Sequence, residues 1–309
     1  MTRLRRKLSA PAALFAAGLT CALAGPAAAV QVDVGQGQSL ELAPPAGYCA
    51  LDEARPPEAN LIRAMRGAVG ETMRVVLAFG DCGELVELRD GKRPLLDHFG
   101  QILLVAQGDK VQRIPETRAN YLAAVAKPMP SATVADIAAN GEAQMKAGKP
   151  SDRPKPIFAV LGRDELALYI GTTSLQGEGD EKTLVAGLAG VTLVHQIPVN
   201  INIFGAYAGD KASGAAALDR LVEQMTAAIS DLQFTNDDVD MPAPLPVPSR
   251  NEWRAMGSTA LVGAVVGGLL GGIGALALVW LRRRRRAAQD DAVHLDETPP
   301  SAEPPAAEA

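Results

Sequence analysis

The feature that most constrains this chain is the run Thr259 to Leu281, twenty-three uncharged and mostly aliphatic residues that stop at Arg282, Arg283, Arg284, Arg285 and Arg286. At ~1.5 Å rise per residue a helix of this length covers a hydrocarbon core of ~30 Å. Trp253 and Trp280 stand near its two ends, where indoles settle at headgroup level, and the arginine block marks the cytoplasmic side by the positive-inside rule. A buried helix of a water-soluble protein would leave five consecutive arginines at one end without a reason. The sequence therefore predicts a transmembrane helix over residues 257–281. Within it Gly263, Gly267 and Gly271 recur every fourth residue, as do Gly268 and Gly272, and line one helix face. Such a face lets a second backbone approach closely, so the expected partners are the membrane itself and, through the glycines, a homodimer mate or another membrane helix. The bland alternative is that glycine and alanine are simply common in this chain.

The other end of the chain agrees on orientation. Residues 1–29 have the form of a secretory signal: Arg3, Arg5, Arg6 and Lys7, then the apolar stretch Leu14 to Leu23, then Ala27-Ala28-Ala29 as a cleavage site. Signal and late anchor together predict a single-pass protein of the bacterial inner membrane, with its N-terminal domain periplasmic and its tail cytoplasmic. The exported part from Val30 to Met256 holds 21 Lys+Arg against 29 Asp+Glu, a formal charge of −8. That surface repels polyanions, and with the compartment it excludes a nucleic-acid partner.

Of three cysteines, Cys21 leaves with the signal, and Cys49 and Cys82 stay in the exported domain. In an oxidising compartment such a pair reads as a disulfide. The rival reading makes Cys82 a nucleophile served by His98 and Asp97. The acids beside it, Asp81 and Glu84, would raise a thiol pKa, which is the wrong direction for a thiolate.

Pattern places the elements of the domain, residues 30–235. Leu40 and Leu42 alternate with polar neighbours, and Pro56-Pro57 opens a helix carrying Leu61, Ile62, Met65 and Val69. Met73 to Phe79 reads as a strand, followed by two more at Leu85 to Leu88 and Ile102 to Ala106. Thr133 and Asp136 form a capping box before Val134, Ile137, Ala138, Gly141 and Met145 on one helix face. Strands return at Ile157 to Leu161, Leu166 to Ile170 and Val191 to Gln196, with a polar loop from Gly171 to Lys182. Val199, Ile201 and Ile203 alternate with Asn200 and Asn202, which predicts a strand with one wet face. Leu218, Leu221, Val222, Met225, Ile229 and Leu232 trace a long closing helix. Consecutive strands with short turns imply a mainly antiparallel sheet packed by helices, an α+β domain.

The order "LELAPPAGYCALD", a helix, "MRVVLAFGDC", a hairpin, a helix and paired strands ending in "VNINIFGAYAG" resembles the PsbP-type α/β/α sandwich of photosystem II extrinsic subunits and small bacterial envelope lipoproteins. The likeness spans residues 37–233 and lies in element order. It implies a central antiparallel sheet and a non-enzymatic, accessory role, and it transfers no functional residue. Beyond the domain, residues 236–256 form a proline-rich stalk in which Pro242, Pro244, Pro246 and Pro248 enforce extended backbone. Val247-Pro248-Ser249, the apolar run and the arginines resemble a PEP-CTERM sorting signal, but the motif's glutamate is missing and 23 residues follow Arg286. Residues 282–309 read as a basic stop and an acidic, disordered tail.

Function is the least legible property. His195 shares the alternation face of Val191, Leu193 and Ile197, which suits a core or edge histidine better than a ligand. Asp97-His98 has no second ligand pair at metal-binding spacing, and Glu178-Gly179-Asp180-Glu181 lacks the alternating acids of a calcium loop. No nucleophile elbow, zinc-protease motif or phosphate loop is present. The sequence thus names no catalytic, cofactor-binding or metal residue. It points to a membrane-anchored extracytoplasmic accessory or binding protein; the alternative is an envelope hydrolase, thiol- or metal-assisted, using Cys82, His98 and Asp97.

Overall fold

The computed structural model describes residues 29–35, 37–147, 149–177 and 182–237. The signal segment up to residue 28, the acidic tip 178–181, the stalk from residue 238, the apolar run with Gly263, Gly267 and Gly271, the arginines Arg282 to Arg286 and the tail lie outside these residues. Among the described residues no helix is long and apolar enough to cross a membrane.

The elements run β1 (Val30–Gly35), β2 (Gln38–Leu42), β3 (Tyr48–Ala50), α1 (Pro56–Ala68), β4 (Met73–Asp81), α2 (Cys82–Arg89), β5 (His98–Gln107), β6 (Lys110–Val111), α3 (Arg118–Ala126), α4 (Val134–Lys146), β7 (Ala159–Arg163), β8 (Leu168–Gln176), β9 (Thr183–Val194), β10 (Ile197–Tyr207) and α5 (Lys211–Asp237). The fold is α+β. Its main sheet has the order β3-β4-β5-β10-β9-β8-β7, with every neighbouring pair antiparallel, and β6 pairs with β5 beside it. β1 and β2 make a separate hairpin.

Helices cover both faces of the sheet. On one face α5 lays Leu218, Leu221, Met225, Ile229 and Leu232 against Val199, Ile201 and Ile203, joined by Ile137 of α4 and by Leu40 and Leu42 of the hairpin. Each such side chain, once fully buried, contributes about 1.5–3 kcal/mol, so this stripe alone anchors α5 to the sheet. On the other face Leu61, Ile62 and Met65 of α1, Leu85 and Leu88 of α2, and Tyr121, Leu122 and Val125 of α3 meet Phe99, Leu103, Val191 and Phe204. α4 approaches its strands closely because Gly141 has no side chain there; a Cβ would run into the Tyr207 hydroxyl and Thr173.

Local chemistry explains the helix starts. The Thr133 and Asp136 capping box is present, with Asp136 N–H donating to Thr133 Oγ1 at 3.2 Å and Thr133 N–H donating to Asp136 Oδ2 at 3.0 Å. Pro56 stands at the first position of α1, where its missing N–H costs nothing.

Four expectations are corrected, and one helix is added to them. Leu85 to Leu88 is helical: Asp81 caps α2 by accepting from Glu84 N–H at 3.0 Å, and the three-residue spacing of Leu85 and Leu88 puts both in the core while Val86 faces out. α3 was not read from the pattern; its start is a Thr117 cap accepting from Asn120 N–H, and its apolar residues are too few for a periodic signal. The first half of the polar loop expected from Gly171 to Lys182 is strand, since β8 continues to Gln176; β9 begins just after it at Thr183. β10 has no wet face: Asn200 and Asn202 are 3% and 0% exposed, because β10 is a central strand with helices on both sides. His195 is not a strand residue; with φ of 47° it forms, with Gln196 at 68°, the tight turn between β9 and β10.

Candidate functional site

The sequence-predicted residues converge on one end of the sheet. Cys49 on β3 and Cys82 at the start of α2, 33 positions apart in the sequence, form a disulfide with Cα atoms 5.0 Å apart. The bridge follows from topology: β3 pairs with the end of β4, with Cys49 opposite Gly80, so Cys82, two residues beyond Gly80, turns back onto β3. Cys82 N–H also donates to Gly47 C=O at 3.1 Å. Beneath the bridge Tyr48 meets Phe79 edge-on at 5.3 Å between centroids.

Beside it stands a charged network. His98 Nδ1 donates to Glu84 Oε1 at 2.7 Å, and Glu84 Oε2 accepts from the backbone N–H groups of Asp97 at 2.7 Å and His98 at 3.0 Å. Arg93 reaches Asp97 at 2.9 Å, Glu87 at 3.0 Å and Glu84 at 3.5 Å. The hydrogen bond to Glu84 raises the His98 pKa above its ordinary value, against the opposing effect of burial. Burial pushes Glu84 upward, but the bonds from His98 and from the two backbone amides outweigh it and hold the carboxyl below its ordinary value. Asp97 and His98 are thus brought together with Glu84, as a staple between α2 and the start of β5. The Cys82 sulfur is bonded to Cys49 and so presents no thiol in this state.

A second ion pair, not picked out from the sequence, joins α1 to α2. Glu58, 1% exposed, accepts from Arg89 Nε at 2.8 Å and Nη2 at 3.0 Å, and from Asp52 N–H at 2.8 Å. Arg55, Pro56, Pro57, Leu88 and this pair line a hollow of about 200 Å³. Glu58 at the first turn of α1 was the available signal, but only the approach of α2 supplies its cation.

At the opposite end of the sheet α5 is locked at its C-terminus. The Asn236 side chain accepts from Glu41 N–H and donates to Glu41 C=O, both at 3.0 Å, and so pairs with β2 as another strand would. His195 Nε2 donates to Asn236 C=O at 2.6 Å. Arg118 donates to Leu193 C=O at 3.0 Å and to Gln233 Oε1 at 2.5 Å, and Gln233 donates to Thr192 Oγ1 at 2.9 Å. The last described turn of α5, the β9–β10 turn and the β1–β2 hairpin are therefore joined by hydrogen bonds at the end of the described residues. Phe234, 81% exposed, projects from this end.

Among the described residues no group of three or more His, Cys, Asp or Glu is arranged to hold a metal ion. No family model matches the chain, and neither does any curated protein or solved structure.

Proposed function

We propose that this chain is a membrane-anchored accessory or binding protein of the bacterial cell envelope, its α+β domain held outside the inner membrane by the stalk and by the span 257–281. The observation that carries the reading is the pairing of its two non-leader cysteines within the domain that the arginine block assigns to the outside. The PsbP-like sandwich belongs to the same reading and is supported by an antiparallel sheet with helices on both faces. The locked end of α5 supports the tether: a domain pulled on at its C-terminus is held there by hydrogen bonds to two other elements. A homodimer or a membrane-protein partner through Gly263, Gly267 and Gly271 completes the proposal. The hydrolase alternative through Cys82, His98 and Asp97 requires the disulfide to open first in an oxidising compartment.

Cysteine accessibility in intact cells tests it. Cysteine placed at Lys211 should react with a membrane-impermeant maleimide in cells whose outer membrane alone is opened. Cysteine placed at Ala306 should react only after the inner membrane is lysed. The inverse pattern, or recovery of the full chain in the soluble fraction after carbonate washing, sinks the proposal.

A further inference from the structure

The hollow of about 200 Å³ beside the Glu58–Arg89 pair has a lining that stability does not account for. A buried ion pair is a poor way to hold α1 to α2, because well-packed apolar residues commonly do as well. What Glu58 adds is orientation. One of its oxygens accepts from Arg89 Nε at 2.8 Å, and the other accepts from Arg89 Nη2 at 3.0 Å and from Asp52 N–H at 2.8 Å, so the carboxylate is saturated. Arg89 is thereby gripped along one edge of its fork. It stays 31% exposed, and its Nη1 protons have no hydrogen-bond partner among the described residues.

Arg55 approaches the same carboxylate, its Nε 3.8 Å from Glu58 Oε1. Its other ion pair runs through that Nε to Asp52, 3.3 Å away and 47% exposed, a contact that water screens. Two guanidiniums thus gather about one saturated acid, and both line the hollow. The rest of the lining is apolar: Pro56 and Pro57 have no N–H to offer, and Leu88 is buried.

This chemistry is selective. The donors are unsatisfied and the acceptor is not, so an occupant must bring acceptors, and a planar guanidinium meets a carboxylate in two parallel bonds. A monoanion can replace the exposed Asp52 contact at Arg55, whereas a polyanion would meet Glu58 and Asp52 with no further cation to balance it. Sites for drug-sized ligands measure ~300–1,000 Å³, so this hollow takes one small acid and no more. We infer that the hollow between α1 and α2 binds a small monocarboxylic acid with a compact apolar body, its carboxylate on Arg55 and Arg89 and its body against Pro56, Pro57 and Leu88. The site belongs to the α+β domain and is independent of the tether, so failure of the topology experiment leaves it standing, and the reverse holds too.

Isothermal titration of the detergent-solubilised full chain with benzoate and with isovalerate, against a detergent blank, tests it. At least one acid should bind saturably at one per chain with a Kd at or below about 1 mM. Inorganic phosphate, an anion without an apolar body, should bind at least about tenfold more weakly. Arg55→Gln, at an exposed position, should weaken binding about fivefold or more. Arg89→Lys keeps a cation for Glu58 but loses the fork, and should do the same; if that variant does not fold, Arg55→Gln decides the matter. Arg66→Gln, on α1 but outside the hollow, should leave binding unchanged. Absence of saturable binding by both acids overturns the inference, as does binding that survives Arg55→Gln. Phosphate binding as tight as that of the acids, or an equal loss in Arg66→Gln, would mean unspecific attraction and overturns it too.

Discussion

Removing the Cys49–Cys82 bridge is the perturbation whose size follows most directly from the structure. The bridge closes a loop across 33 positions, and the chain-entropy relation for such a loop gives about 4 kcal/mol at 25 °C. In a domain of this size each kcal/mol is worth ~2–4 °C of melting temperature, so Cys49→Ala/Cys82→Ala should melt about 8–16 °C below the parent. The loss should also be local. β3 is a three-residue edge strand, held otherwise by its ladder to β4 and by Tyr48 under Phe79. Amide exchange of Tyr48 to Ala50 should therefore accelerate more than that of β9 or β10. Circular dichroism melts of the double variant and of the reduced parent, read with exchange mass spectrometry, measure both effects. A melting temperature within about 2 °C of the parent would refute the loop-closure reasoning. Two reactive thiols in the unreduced, denatured protein would refute the bridge itself.

Three further outcomes are expected. Glu58→Gln should cost about 2–3 kcal/mol in urea denaturation, below the 3–5 of a fully buried pair because Arg89 is one-third exposed. Burial pushes the Glu58 pKa up, but Arg89 and the Asp52 amide hold it below its ordinary value, so its stabilisation is present at neutral pH and the parent should lose it as pH falls through that depressed value. For His98→Gln, the raised histidine pKa makes the lost stabilisation complete below the unfolded value and absent once pH rises through the folded one. The depressed Glu84 pKa removes it again at acid pH. The difference from the parent should peak between roughly pH 4.3 and 6.5 and stay under about 1 kcal/mol, since the ring is 41% exposed; a pH-independent difference would refute the assignment. Asn236→Ala should cost about 2–3 kcal/mol through loss of its bonds to Glu41 and Leu232, and should speed amide exchange in β1 and β2 specifically.

How much of this was legible depends on whether the signal is local. The capping box at Thr133, the proline start of α1 and the stripe of α5 are written within one or two turns of chain and appear as read. The short helices α2 and α3 were misread or missed because two or three apolar residues fit helix and strand periods equally well. What distinguishes them is a cap and a neighbouring layer. The same reason explains the site: Glu84 and His98 are visible in sequence, but their contact depends on α2 folding back along β5.

The sequence by itself determined the α+β class, the mainly antiparallel sheet and the pair of cysteines available for a bridge, because periodicity and residue count act through nearest neighbours along the chain. Only the tertiary structure decided that helices lie on both faces of β10, and with that the fate of two asparagines. An alternation of Ile and Asn reads as one dry and one wet face whenever a single layer covers a strand. The second layer, contributed by α1, α2 and α3 from far away in sequence, encloses the polar side, and burial by a distant element leaves no periodic mark in the strand it covers.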